Sequence, residues 1–281
     1  MLDMETIRIS PEWQSLLKAH KLDSITAIYS YADGEAVTRS GSTEVRRITL
    51  GSDPNARTIF IKKYWISRAA QAWSGMFRGV VFGRSKAWRE FANLTRLREW
   101  GLDAPAAIAF GEERRAGFVT RSFLISDGVR DPLPLDRFIR DWLPAQTKEE
   151  QCRWRRELFS RLAAYTRRMH GRQFVHHDYF WRNIILSGAN LEHFNLIDAH
   201  KGRVWPAWAE QQNRAKDLAT LDAPAPGFFR RTERMRFLLA YLGHDKLTET
   251  DKTFARRLLR IAAPLRERQL RRVLESRAVV S

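Results

Sequence analysis

Residues 174–186 read Phe-Val-His-His-Asp-Tyr-Phe-Trp-Arg-Asn-Ile-Ile-Leu. An aspartate, four intervening residues, an asparagine and an apolar strand place two oxygen donors one loop-turn apart. Phosphoryl transfer needs such a pair: one side chain accepts the proton of the attacking hydroxyl, and the other gives an oxygen to the metal that bridges the nucleotide phosphates. Asp178 suits the first task and Asn183 the second. Asp-x4-Asn alone is a weak signal, so its surroundings decide. Phe194-Asn-Leu-Ile-Asp198 is an apolar strand ending in a carboxylate 20 residues after Asp178. Ser187-Gly-Ala-Asn190 reads as a turn, and the resulting hairpin is expected to return Asp198 beside Asn183. A carboxylate and an amide then suit Mg²⁺, which takes few protein ligands besides phosphates. The other reading of Asp198 is a cap on the following turn.

Working upstream, Thr58-Ile-Phe-Ile-Lys62-Lys63-Tyr64 reads as a strand ending in adjacent lysines. A strand lysine held by a helical glutamate grips the nucleotide phosphates in phosphotransferases of this kind. Strand alternation puts Lys62 on the face of Phe60 and Lys63 on the other. Lys62 is the first choice and Lys63 the second, and solvation of both is the plain alternative. A helix is expected over about 85–100, closed by Gly101 and Pro105. On it Ala87, Glu90, Leu94 and Leu97 share one face, and a carboxylate inside an apolar stripe needs a cation. Glu90 is therefore the expected partner of Lys62, with a surface pair to Lys86 as the alternative and Glu99 ranked lower.

The rest of the chain sets the frame. Its 281 residues are 44% hydrophobic, with ten tryptophans, enough to fold without staples. Cys152 is the only cysteine, which excludes an internal disulfide or a cysteine zinc site and suits a reducing compartment. The start lacks a basic-then-apolar leader, and no run of about 18 apolar residues would cross a bilayer. The 49 Lys and Arg against 32 Asp and Glu give a net charge of +17. That field attracts polyanions, whether nucleic acid, an anionic membrane or a phosphorylated glycolipid, although arginines that coat helices, as over Lys252–Arg277, explain part of it. No helix-turn-helix or zinc motif supports a nucleic-acid partner. Up to about residue 130 the texture is mostly strand-like, interrupted by the one helix. Beyond Pro132 it is helical, with Trp154, Leu158, Leu162, Tyr165 and Met169 at helical spacing and arginine-rich helices over the final 70 or so residues.

These features together resemble the protein-kinase-like superfamily and, within it, the bacterial lipopolysaccharide kinases. The resemblance spans about residues 33–220. It rests on Ile-Lys62-Lys-Tyr, Arg-Glu90-Phe, Val-His-His-Asp178-x4-Asn183, Leu-Ile-Asp198 and Lys216-Asp217-Leu218. It implies an α+β bilobal fold: a small β-rich N-terminal lobe (1–130) covering the nucleotide and a larger α-helical C-terminal lobe (131–281) with the catalytic and metal residues. ATP and Mg²⁺ are the implied cofactors. Asp178 would be the catalytic base, Asn183 and Asp198 would hold the metal, and Lys62, Glu90, Gly41 and Ser126 would bind the nucleotide. His176 would be a structural histidine and Asp217 a support of the lower lobe, direct contact with the acceptor being its alternative.

The implied acceptor is a Kdo or heptose hydroxyl of the lipid A core, at the cytoplasmic face of a Gram-negative inner membrane, with peripheral contact to anionic lipid. Three departures bear on this. Only Gly41 stands where a glycine-rich nucleotide loop is usual, Asp198 is followed by Ala199-His200 rather than Phe-Gly, and no Ala-Pro-Glu follows. Control by activation-loop phosphorylation is not expected, and a non-protein acceptor gains weight. Trp65, Arg68, Trp73, Met76, Phe77, Arg78 and Phe82 interleave aromatic and basic side chains, which suits either a membrane interface or packing on the upper lobe. A soluble kinase of the aminoglycoside or choline type and a non-catalytic kinase-like binding module are the competing readings.

Overall fold

Strand β4 (Arg57–Trp65) organises the first half of the molecule, because its alternating side chains serve two faces at once. Ile59 and Ile61 are fully buried against Leu17, Ile28, Ile108, Phe123 and Ile125, while Phe60 and Lys62 point the other way. The computed structural model describes residues 4–51, 56–65 and 83–278, with side chains to residue 268. The aromatic and basic residues from Arg68 to Phe82 lie outside the described residues. The chain divides into two compact units, residues 1–129 with 198–201, and residues 130–197 with 202–281.

The first unit is a six-stranded antiparallel sheet in the order β1-β5-β6-β4-β3-β2. Its other strands are β1 (Met4–Ile9), β2 (Glu35–Ser40), β3 (Thr43–Leu50), β5 (Ala107–Arg115) and β6 (Phe118–Asp127). Two short helices, α1 (Gln14–Ala19) and α2 (Ile25–Ser30), cover one face with Leu17, Ile25 and Ile28. Both are additions to the single helix expected here. At six residues each they are too short to show periodicity, and helices of that length persist only through tertiary packing. Helix α3 (Lys86–Glu99) starts where Ser85 Oγ accepts Trp88 N–H at 3.0 Å and ends before Gly101, whose φ is +70°. Ala87, Leu94 and Leu97 form its buried stripe, and Glu90 sits within that stripe at 1% exposure.

The second unit is built around α4 (Lys148–Gly171), opened by a capping box between Thr147 and Glu150. Leu158, Leu162, Tyr165 and Met169 are its buried face, and Trp154 meets Trp142 edge-on at 5.2 Å. Helices α5 (Ala207–Asp222), α6 (Arg231–Leu242) and α7 (Glu249–Ala278) complete the bundle. Ala163, Leu218, Tyr241, Phe254 and Leu258 form one buried cluster among them. Two small ladders emerge from this base. Strands β7 (Pro132–Pro134), β9 (Ile184–Ser187) and β10 (Phe194–Leu196) form one, and β8 (Phe174–Val175) pairs with β11 (Arg203–Val204) in the other. Strand β9 is central, which is why Ile184-Ile-Leu is apolar throughout rather than alternating. No helix among the described residues is long and apolar enough to cross a membrane.

Candidate active site

In the β-rich unit, Lys62 Nζ donates to Glu90 Oε1 at 2.6 Å and lies 3.4 Å from Asp198 Oδ1. Tyr64, two residues along β4 on the same face, donates its hydroxyl to Glu90 Oε2 at 3.1 Å. Both carboxylate oxygens of a nearly inaccessible glutamate are thereby satisfied, which a buried charge requires. Burial alone would lower the Lys62 pKa, but the carboxylates of Glu90 and Asp198 reverse this and raise it, so the side chain is a permanent ammonium. Tyr64 is pushed well above its ordinary value by burial and by the same two carboxylates, and stays a neutral donor.

Asp198 sits at φ +60°, a left-handed conformation uncommon for a non-glycine residue and worth attention at a functional site. Its segment is anchored to α3, where Asn93 Nδ2 donates to Ala199 O at 2.8 Å. His200 Nδ1–H donates to Asp198 Oδ1 at 2.9 Å, so His200 and Lys62 converge on one oxygen and Oδ2 takes neither. Burial pulls the Asp198 pKa up, yet the His200 hydrogen bond and the Lys62 charge hold it well below the usual carboxylate range. Glu90, Asp198 and His200 offer ligand atoms within 4.8 Å of one another. They do not form a metal cage, because both Glu90 oxygens are already taken by proton donors. The donor that suits a hard cation here is the Asp198 carboxylate.

In the helical unit the loop after β8 is held mainly through its backbone. Asp217 on α5 is wholly buried, its Oδ2 accepts His176 N–H at 2.7 Å and its Oδ1 accepts His177 N–H at 2.8 Å. His177 sits at φ +62°, and that left-handed residue delivers the half-buried Asp178 next in the chain. Trp205 Nε1–H donates to His177 Nε2 at 2.8 Å, which places the His177 proton on Nδ1. His176 Nε2 lies 3.1 Å from Ile197 O, and the Tyr179 hydroxyl is paired with Thr166 Oγ1 at 2.8 Å. Asn183 Nδ2 donates to Asp178 O at 2.8 Å, which turns the amide oxygen away from that carbonyl. Asn183 O accepts Ile197 N–H at 3.0 Å, tying the loop to the strand that leads into Asp198.

The sequence-derived residues thus fall into two groups: Lys62, Glu90 and Asp198 in the first unit, Asp178 and Asn183 in the second. Lys63 is committed elsewhere. At 2% exposure its ammonium donates to Tyr31 O at 2.7 Å and Tyr29 O at 3.3 Å, closing the C-terminal end of α2. Lys86 lies over the Tyr64 ring rather than on Glu90. Gly41 forms the β2–β3 turn with Ser42, and a Cβ there would meet only open space. Ser126 is buried in β6 opposite Phe60. Tyr64 and His200 are the additions that spacing did not reveal. The order Asp198-Ala-His200 held the only signal for the second, an unusual residue two places after the carboxylate.

Comparison with known proteins places this geometry in a lineage. The profile of the lipopolysaccharide kinase (Kdo/WaaP) family matches residues 32–241. The chain belongs to this family. It is therefore a phosphotransferase that acts on an alcohol group of a sugar. An Escherichia coli lipopolysaccharide core heptose(I) kinase WaaP is 28% identical over 132 residues, 45% of this chain and 48% of that protein. The K12 strain's enzyme of the same name is 25% identical over 208 residues, 71% of this chain and 76% of its own. The solved structure of WaaP in complex with acyl carrier protein superposes with a TM-score of 0.67 at 20% identity, over 92% of this chain and 99% of that one. The α+β, protein-kinase-like fold of this family is the fold of the chain.

Proposed function

We propose that this chain transfers the γ-phosphate of ATP, complexed with Mg²⁺, to a hydroxyl of Kdo or heptose in the lipopolysaccharide inner core. The observation that carries the reading is the buried Lys62–Glu90 pair at 2.6 Å with Asp198 on the same ammonium. A cation held this firmly, on a sheet face met by one carboxylate from α3 and one from the segment at Asp198, suits the grip on nucleotide phosphates. Residues 1–130 act as the nucleotide-covering lobe and residues 131–281 as the lobe of the catalytic loop and the acceptor. Gly41 lets the β2–β3 turn approach the phosphates, and Ser126 contacts the nucleotide from β6.

Asp178 accepts the proton of the attacking sugar hydroxyl. Its position is set from behind, by Asp217 on the amides of residues 176 and 177 and by Asn183 on its own carbonyl. Asn183 Oδ1 and the Asp198 carboxylate are the oxygen donors that fit Mg²⁺, whose chemistry when bound is to neutralise charge on the phosphates. His200 holds Asp198 in one rotamer, so that the carboxylate need not reorganise during transfer.

The acceptor is a glycolipid, and the net charge of +17 supports peripheral contact with an anionic membrane at the cytoplasmic face of the inner membrane. A second partner is an acyl carrier protein. It is favoured by an apolar cavity of about 230 Å³ in the helical unit, lined by Leu158, Leu162, Leu218, Phe237 and Leu258 and suited to an acyl chain. Binding of an acylated but not an unacylated carrier protein is the expected result by calorimetry.

The test of the reaction is transfer of labelled γ-phosphate to lipid A core glycolipids and to soluble amino sugars. Label is expected on the glycolipid alone, and Asp178→Ala is expected to lower kcat by about 10²–10⁴-fold with nucleotide affinity kept. Label on soluble amino sugars alone would assign a small-molecule kinase instead.

A further inference from the structure

A second concave surface lies on the helical unit, and none of the residues assigned to catalysis lines it. It is an open groove of about 890 Å³ between α4, the Pro226–Arg230 turn and α6. Lys148, Arg155, Arg156, Arg230 and Arg236 line it against the single carboxylate of Glu233. Arg155 is fixed in place: Nη1 donates to Phe228 O at 3.0 Å, lies 3.4 Å from Glu233, and its guanidinium sits 5.2 Å from the Phe229 ring. Lys148, Arg156 and Arg236 are exposed, and among the described residues no carboxylate lies within ion-pair distance of them. Like charges gathered in a concavity, with one anion for five cations, raise the local potential well beyond that of an evenly charged helix face. The floor is aromatic, and it continues into the catalytic loop. Phe228 and Phe229 pack edge-on against Trp181 at 5.6 and 6.1 Å, and Trp181 lies between Asp178 and Asn183.

We propose that this groove binds the phosphate headgroups of an anionic lipid surface and is the face by which the helical unit docks on the membrane. The proposal rests on the membrane reading given above and names the residues that serve it. Arginine forks pair with phosphate in two-pronged fashion, and aromatic rings beneath them suit the boundary between headgroups and acyl chains. Docking there sets a phosphorylated lipid one aromatic layer, Phe228 and Phe229 on Trp181, from the catalytic loop.

The experiment is co-sedimentation of the full chain with phosphatidylcholine vesicles, with and without phosphatidylglycerol. Arg156→Glu/Arg236→Glu is compared with Arg256→Glu/Arg260→Glu, a control that makes the same charge change on exposed positions of α7. Wild type is expected to need phosphatidylglycerol. The groove double variant should lose about tenfold or more in vesicle affinity and the control less than about threefold, both melting close to wild type. Equal losses in the two variants, or full binding by the groove variant, would overturn the groove while leaving the membrane reading intact. No preference of wild type for phosphatidylglycerol would overturn that reading and the groove with it. Intact vesicle binding with lost acyl carrier protein binding in the groove variant would assign the surface to a protein partner, and competition by soluble glycerophosphate as strong as by vesicles would assign it to a free phosphate.

Discussion

Two buried carboxylates, Glu90 in the β-rich unit and Asp217 in the helical unit, solve the same electrostatic problem in opposite ways. Glu90 is satisfied by side chains, the Lys62 ammonium and the Tyr64 hydroxyl. Asp217 is satisfied by main-chain amides, those of His176 and His177, with His170 Nε2 at 3.4 Å. The difference teaches what each is for. A side-chain pair fixes the position of one charge, here the ammonium assigned to the phosphates, whereas an amide clamp fixes the path of a whole loop. Removing Glu90 should therefore disturb ligand handling first, and removing Asp217 should disturb folding first.

The largest expected effect tests that contrast directly. Asp217→Ala leaves two buried amides without an acceptor and should cost about 3–5 kcal/mol, lowering the melting temperature by about 10 °C. If thermal unfolding is unchanged while activity is lost, Asp217 belongs to the chemistry and the contrast fails. Next come the two lysines. Lys62→Met is expected to lower kcat/KM for nucleotide by about 10²-fold. Lys63→Met is expected to keep that ratio per folded molecule and to lose about 1–3 kcal/mol of stability, because two carbonyls at the end of α2 lose their donor. Steady-state kinetics paired with denaturant titration separates the two, and an inverted pattern would exchange their roles.

A smaller effect is expected at His200. His200→Ala should lower kcat by about tenfold and raise the Mg²⁺ concentration needed for half activity, while His200→Asn, whose amide nitrogen can stand where Nδ1 does, should recover most of both. A metal titration that leaves the Mg²⁺ requirement unmoved in the alanine variant removes His200 from positioning Asp198.

The smallest effect is a pH slope at His177. Burial, opposed by Asp217, depresses its pKa, so the folded protein holds it neutral while the unfolded chain binds a proton below about pH 6.5. The stability this contributes is present above that pH and is lost as pH falls through the lowered folded value. Protonation would also end its role as acceptor for Trp205 Nε1–H. Melting of wild type should fall more steeply between pH 7 and pH 5 than melting of His177→Gln, and parallel curves would show that the histidine does not titrate in this window.

Much of this contrast could be anticipated from residue order. Glu90 stood out because a carboxylate at helical spacing among Ala87, Leu94 and Leu97 had to find a cation. The apolar runs Ile184-Ile-Leu and Phe194-Asn-Leu announced a buried hairpin ahead of Asp198. Strand alternation separated Lys62 from Lys63 but did not say which face carried a partner. That answer lies in α2, whose carbonyls at Tyr29 and Tyr31 reach Lys63 from more than 30 positions away in the chain. Helices α1 and α2 were illegible for the same reason, since their six residues are helical only because Leu17, Ile25 and Ile28 dock on the sheet.

The sequence by itself determined the family, the α+β fold class and the residue types proposed to handle phosphate, because these depend on local patterns: an aspartate and an asparagine in one loop, a lysine in one strand, a glutamate in one helical stripe. Only the tertiary structure decided that Asp217 clamps the amides before Asp178, that Tyr64 completes the shell of Glu90, and that His200 shares an Asp198 oxygen with Lys62. Each of these is a hydrogen bond set by side-chain rotamers and by left-handed backbone at His177 and Asp198, and such contacts leave no periodic trace in the order of residues.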